Sequence, residues 1–364
     1  MSAPTPSPPP VGLAFLDAEL TFVTDDARLH AAVVERLGPF VREPGEGPTF
    51  AARIHADPPR VRWDGHELSL PRASVEEHAF GLLFRAALDR VERYLVLHAA
   101  AAAKNERALL IAGPSGAGKT TLALALAAGG LRLLSDDFTP LDPADGLVLP
   151  FPKAIGARDG AAARIADRLG LEPAPPRPVR PVAPLAPARP ALVVLLSQEG
   201  APDPRRPYLF SVTVAGDAEE LLRAASDPPH IEPAGCTAGE VRFRVRPGLQ
   251  ATRALEDLLR RFAPRIVAYG AAAEAAFAAA ERPVLEPLGA AAALTLLARE
   301  VQNRRPGGAL MRRLGGDLSK LMDELARGLA GASFAWLRPG PPEPTAALLA
   351  QALDEAVRRS SRSG

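Results

Sequence analysis

The chain has 364 residues, 47% hydrophobic and 23% charged, the balance of a soluble globular protein long enough for two or three domains. A net charge of +1 supplies no general field for nucleic acid or an anionic membrane, and a single cysteine, Cys236, excludes an internal disulfide and fits a reducing compartment. No apolar run reaches the roughly 18 residues of a membrane span, and the opening MSAPTPSPPP lacks the regions of a signal peptide, so the cytoplasm is the expected location.

Residues 1–10 form a Pro/Ser tail with too little apolar surface to order itself. An N-terminal α+β domain is expected over 11–92. In it, 11–23 patterns as strand, and Asp25 or Asp26 is placed to cap a helix carrying Leu29, Val33 and Leu37. Residues 50–54 and 61–70 read as strands, the second folded at Asp64-Gly65, a dipeptide suited to the positive φ angles of a tight hairpin. Ser74 and Glu77 have capping-box spacing for a helix with Val75, Leu82, Leu83, Ala86 and Val91 on one face.

The stretch 108–137 carries the chemistry. ALLIA at 108–112 has the length of a buried strand, and 121–128 is built of good helix formers closed by Gly129-Gly130. Between them Gly113, Pro114, Ser115, Gly116, Ala117, Gly118, Lys119 and Thr120 spell GPSGAGKT, a full GxxxxGK[ST] match continued by Thr121. Such a loop turns backbone N–H groups onto phosphate oxygens at a helix N-terminus. Lys119 suits the β and γ phosphates of a nucleotide, and the Thr120 hydroxyl suits Mg²⁺, which takes few protein ligands. A short strand at 131–134 then delivers Ser135, Asp136 and Asp137 to its carboxyl end, where α/β sheets build sites. Two adjacent carboxylates there can hold Mg²⁺ and accept a proton from an attacking hydroxyl. His98 ends a strand at 94–100. The other five histidines, His30, His55, His66, His78 and His230, have no ligand-like spacing.

His98, GPSGAGKTT and LRLLSDD, with 21 residues from His98 to Lys119 and 18 from Lys119 to Asp137, resemble the catalytic core of HPr kinase/phosphorylase. The resemblance implies an α/β P-loop kinase core of HPr kinase/phosphoenolpyruvate carboxykinase type with a mixed sheet, using ATP and Mg²⁺. It further implies that His98 orients the acidic pair, Asp136 binds metal with Thr120, and Asp137 is the base; the division of roles between the two aspartates stays open. Three features depart from the family: Ala99 follows the histidine in place of glycine, Thr120-Thr121 replaces Ser-Glu, and the glycine-rich signature is not evident in PFPKAIGARDGAAARIADRLG. HPr is therefore not the expected acceptor. The expected partners are a nucleotide and a peptide, protein or small-molecule hydroxyl, without nucleic acid or membrane; the sequence leaves a homo-oligomer open.

The kinase core is expected over 93–248. Within it Lys153 and Arg158 are either contacts to phosphate or substrate or, as is more common for such residues, solvated surface charges, and 173–190 is a Pro-rich connector. The arginines of that connector, Arg177, Arg180 and Arg189, have no interleaved aromatics to stack bases. Strands are expected at 191–196, 208–214 and 241–245, with a helix at 219–225. A helical C-terminal region is expected over 249–364, with a last strand at 334–337 and a terminal helix at 345–358. Its apolar stripes are Leu255, Leu258, Leu259 and Phe262, then Leu318, Leu321, Met322, Leu325 and Leu329 behind an Asp317 cap; 271–280 and 289–298 are alanine-rich packing segments. Besides the kinase reading, the loop alone admits a nucleotide-hydrolysing switch or a P-loop kinase of small molecules.

Overall fold

The computed structural model describes residues 7–153, 155, 160–169, 186–225, 230–237, 239–274 and 278–360. The chain is mixed α/β, with sheets of six, eight and four strands. It divides into two units. The first joins Met1–Glu92 with Phe210–Tyr269 and Asn303–Arg313, and the second joins Arg93–Leu209 with Gly270–Gln302 and Leu314–Gly364. Among the described residues no helix is long and apolar enough to cross a membrane.

In the first unit a six-stranded sheet runs in the order Val41–Arg42, Val11–Phe15, Ala18–Thr24, Thr49–Arg53, Arg60–Trp63, His66–Ser69. The Asp64-Gly65 turn takes φ angles of 46° and 78° and pairs Trp63 with His66, so the hairpin forms where the dipeptide puts it. Asp26 is the cap of helix Ala27–Leu37, accepting from the Leu29 amide at 2.7 Å, a contact worth about 1 kcal/mol. Its neighbour Asp25 instead accepts from the Ile54 amide, also at 2.7 Å, and ties that helix start to the sheet. The capping box expected at Ser74 does not form. Ser74 precedes helix Val75–Leu88 without a side-chain cap bond, and its hydroxyl pairs instead with His78 Nδ1 at 3.1 Å. The four-stranded sheet, in the order Ile231–Thr237, Glu240–Val245, Tyr208–Val214, Ile266–Ala272, belongs to this unit apart from the ends of two strands.

The second unit is built on the eight-stranded sheet. Its main path runs Leu147–Val148, Phe138–Asp142, Leu95–Lys104, Arg107–Ala112, Arg189–Leu196, Ser333–Arg338, Val284–Pro287, and Arg132–Ser135 pairs with Leu95–Lys104 beside that path. Arg107–Ala112, Arg189–Leu196 and Ser333–Arg338 are parallel neighbours, which explains their nearly unbroken apolar runs: strands covered on both faces have no polar side to show. Helix Lys119–Ala128 packs Leu122, Leu124 and Leu126 into one core with Ile111, Val194, Leu337, Leu349 and Leu353.

Residues 249–364, read from the sequence as helical apart from a last strand at 334–337, contribute three strands, of which Ser333–Arg338 is the expected one, and are shared between both units. Ala271 and Ala272 close strand Ile266–Ala272, and 278–280 carry no helix. Ala272 pairs with Ser115 in a parallel bridge, so β-ladder bonds override the helix preference of alanine at this edge. Asp317 caps helix Leu318–Gly328 as expected, accepting from the Ser319 amide at 2.8 Å. Arg158, Arg177 and Arg180 lie outside the described residues, as does most of the Pro-rich connector. Arg189 already belongs to strand Arg189–Leu196.

Candidate functional site

All the residues singled out for nucleotide chemistry fall in the second unit. Strand Arg107–Ala112 runs into Gly113–Gly118, and helix Lys119–Ala128 leaves it. The glycines are needed for different reasons. Gly116 and Gly118 take φ angles of 81° and 90°, which suit glycine alone among common residues, whereas a Cβ on Gly113 would stand 2.9 Å from Leu196 Cβ. Ser115 and Gly116 are exposed, Pro114, Gly118 and Thr120 half-buried, and Ala117, Lys119 and Thr121 buried. The helix starts without a side-chain cap, so its first N–H groups have no side-chain acceptor at Gly118. Lys119 folds back over the loop: its Nζ donates to Gly113 O at 2.8 Å and Pro114 O at 3.0 Å.

The acidic pair is placed by strand register. Leu95–Lys104 is long enough to pair with two successive strands, Arg132–Ser135 opposite Ala101–Ala103 and Phe138–Asp142 opposite Leu95–His98. Asp136 and Asp137 form the step between those partners. Because Phe138 lies directly across from His98, Asp137 meets the imidazole. The step is pinned by hydroxyls: Thr139 Oγ1 donates to Ala99 O at 2.7 Å, which leaves Ser135 Oγ to donate to Thr139 Oγ1 at 2.5 Å.

His98 is held from both sides, with Nε2 3.2 Å from Asp137 Oδ1 and Nδ1 3.2 Å from Glu300 Oε2. Two carboxylate acceptors can both be satisfied only when both ring nitrogens carry protons. Burial and the Lys119 charge oppose that protonation, but the bonds to Asp137 and Glu300 outweigh them and hold the imidazole above its ordinary value. Lys153 Nζ lies 3.4 Å from Asp136 Oδ1 and 3.5 Å from Asp137 Oδ2. Burial works against ionisation of Asp137, yet Lys153 and then His98 drive its pKa far below the usual carboxylate range. In Asp136, only 4% exposed, burial prevails over Lys153 and the pKa rises. Lys119 is pushed down, chiefly by burial.

A pH-dependent stability follows. A histidine whose folded pKa is raised stabilises fully below its unfolded value of 6.5, and that contribution is lost as pH rises through the folded value. Wild type should exceed His98→Gln in stability most below pH 6.5, with the gap closing as pH rises above that value. Urea denaturation on both sides of that value checks this. A gap independent of pH would mean that His98 is held neutral.

Comparison with known proteins gives a distant likeness. The HPr(Ser) kinase/phosphatase from Coxiella burnetii aligns over 46% of this chain and 94% of its own, at 18% identity and a TM-score of 0.18. No protein-family model matches the chain. No curated protein matches it either.

One member of the cluster was missed in the sequence, and the place of another was left open. Glu300 lies 202 residues from His98 and ends helix Ala290–Arg299. It enters because the following segment pairs with the His98 strand: His98 N donates to Glu300 O at 2.8 Å, and Gln302 N to Val96 O at 2.7 Å. A single acidic residue after an alanine-rich helix carries no local signal for this. Lys153, left by the sequence between a phosphate or substrate contact and a solvated surface charge, lies between the two aspartates.

The donor chemistry fits Mg²⁺. Thr120 and Asp136 offer hard oxygens, and the carboxylate pair already attracts the Lys153 ammonium. Among the described residues no group of three His, Cys, Asp or Glu side chains forms a metal cluster, so the phosphates and waters would complete the shell of an ion held here.

Proposed function

We propose that the chain is an ATP- and Mg²⁺-dependent kinase that transfers the γ-phosphoryl group to a hydroxyl, of serine type, on a peptide, protein or small molecule other than HPr. The observation that carries this reading is the convergence, within one unit, of Lys119 at the start of the loop helix with a carboxylate–imidazole pair. The charge of Lys119 reaches His98, Asp136 and Asp137. Phosphoryl transfer asks little covalent chemistry of a protein and relies on positioning and charge stabilisation, which these parts supply.

In this reading the loop amides and Lys119 bind the phosphates, and Thr120 and Asp136 would hold Mg²⁺, which would supply neutralising charge to the phosphates. Asp137 is 34% exposed against 4% for Asp136, so it is the carboxylate an acceptor hydroxyl can reach. Kept ionised by Lys153 and His98, it accepts a hydrogen bond from that hydroxyl and orients it; the proton passes to the carboxylate late, as the new P–O bond forms and the β–γ P–O bond breaks to release ADP. Glu300 holds the imidazole in place from behind.

The test is to incubate the protein with labelled ATP and Mg²⁺, offering HPr, free serine and short peptides encoded beside its gene, and to follow transfer by mass spectrometry. Label on a non-HPr hydroxyl, abolished by EDTA, is the expected result. Efficient labelling of HPr would overturn the acceptor assignment, and steady hydrolysis with no acceptor labelled would replace transfer by a nucleotide switch.

A further inference from the structure

The first unit encloses a cavity of about 460 Å³ whose lining combines five arginines and two aspartates with apolar side chains. Its deep charged group is Arg85, on helix Val75–Leu88, together with Asp89 and Arg305. Asp89 lies 3.5 Å from Arg85 Nε and 2.5 Å from Arg305 Nη2, so one buried carboxylate answers two guanidinium groups that are 4% and 15% exposed. Arg305 Nε is buried and has no hydrogen-bond partner. Arg260, Arg261 and Arg312 add positive charge from exposed positions around the opening. The second aspartate, Asp64, is engaged by Arg90 and does little to balance them. Trp63, Leu82, Pro264 and Ile266 supply an apolar wall, and Trp63 is stiffened by stacking on Phe50 at 5.5 Å.

A buried cation with an unsatisfied donor costs free energy unless an anion or another acceptor meets it. Guanidinium groups are matched to planar or tetrahedral oxyanions, which they grip through paired N–H groups. The cavity volume also falls in the range of small-molecule sites, well above what a bare phosphate fills. We infer that this cavity binds a small organic oxyanion, a phosphate or carboxylate carried on an apolar body, with Arg85 and Arg305 gripping the oxygens and the Trp63 wall holding the body. The site belongs to the first unit and does not depend on the kinase reading, which concerns the second.

The experiment is calorimetric titration of the full chain with phenyl phosphate, benzoate and inorganic phosphate, in wild type and in Lys119→Ala, where phosphate binding at the glycine loop is expected to be weakened. One aryl oxyanion per chain should bind in both proteins, severalfold more tightly than inorganic phosphate. The preference between phenyl phosphate and benzoate assigns the head group. Arg261→Gln/Arg312→Gln, at exposed positions that leave the fold intact, and Arg305→Lys, which keeps the charge beside Asp89 but loses the fork, should each weaken binding by about tenfold or more. ATP affinity should be unchanged in both variants. Binding abolished by Lys119→Ala and untouched by the arginine changes would place the anion at the loop and overturn the inference. So would a lack of binding by either aryl probe.

Discussion

Lys119→Ala is expected to weaken ATP binding by at least about tenfold and up to about a hundredfold, the loss that follows when one or two charge-assisted hydrogen bonds to phosphate disappear. The lysine is 6% exposed and its ammonium is held against Gly113 O and Pro114 O. It is therefore stored within the loop that would receive the phosphates and needs only a short swing to reach them. Two effects could be confused here, since alanine also frees two loop carbonyls and could loosen the turn. Lys119→Met separates them, because it keeps the side-chain length and removes only the charge and donors. If the loop binds phosphate, calorimetry should give both variants a similar loss. Wild-type affinity in Lys119→Met would refute the nucleotide assignment.

Asp137→Asn should leave ATP binding nearly intact and lower the rate of phosphoryl transfer by about 10² or more, the range assigned to a general base. Asparagine preserves shape and can still accept a bond from His98 Nε2. It cannot take a proton, and it removes one of the two carboxylates that hold Lys153 and one of the two that hold His98. His98→Ala should act in the same direction less severely, since it leaves the carboxylate but frees it to turn. Single-turnover measurements at saturating ATP distinguish a fall in chemistry from a fall in binding. Transfer at the wild-type rate in both variants would reduce the Ser135–Asp137 step to a structural turn.

The elements of the second unit around the loop were legible because each is determined locally. The apolar strand before Gly113, the left-handed glycines at 116 and 118, and the helix formers that end at Gly129-Gly130 are all nearest-neighbour effects. The same holds for the Asp26 and Asp317 caps and for the Asp64-Gly65 hairpin. Ser74 is the exception. Its hydroxyl pairs with the ring of His78 and makes no cap bond, an outcome of side-chain placement that the Ser74–Glu77 spacing does not record.

The sequence by itself determined which residue types would meet near the loop: a histidine on a neighbouring strand, which runs on past the expected end at His98 to Lys104, a lysine opening a helix, and two carboxylates after a short strand, in that order. It could not determine how they share charge. That depended on a ten-residue strand, Leu95–Lys104, pairing with two short strands on one edge while the segment after Ala290–Arg299 bonds to its His98 end. Those pairings bring Glu300 behind His98, while Lys153 crosses between Asp136 and Asp137. The first unit was hidden in the same way, since its three chain segments are separated by more than a hundred residues at the first junction. The physical reason is common to both. Local bonds and periodicity are written within a few residues, whereas a buried charge finds its partner only when the backbone ladder has closed, and the energy of that meeting leaves no mark on the sequence around either residue.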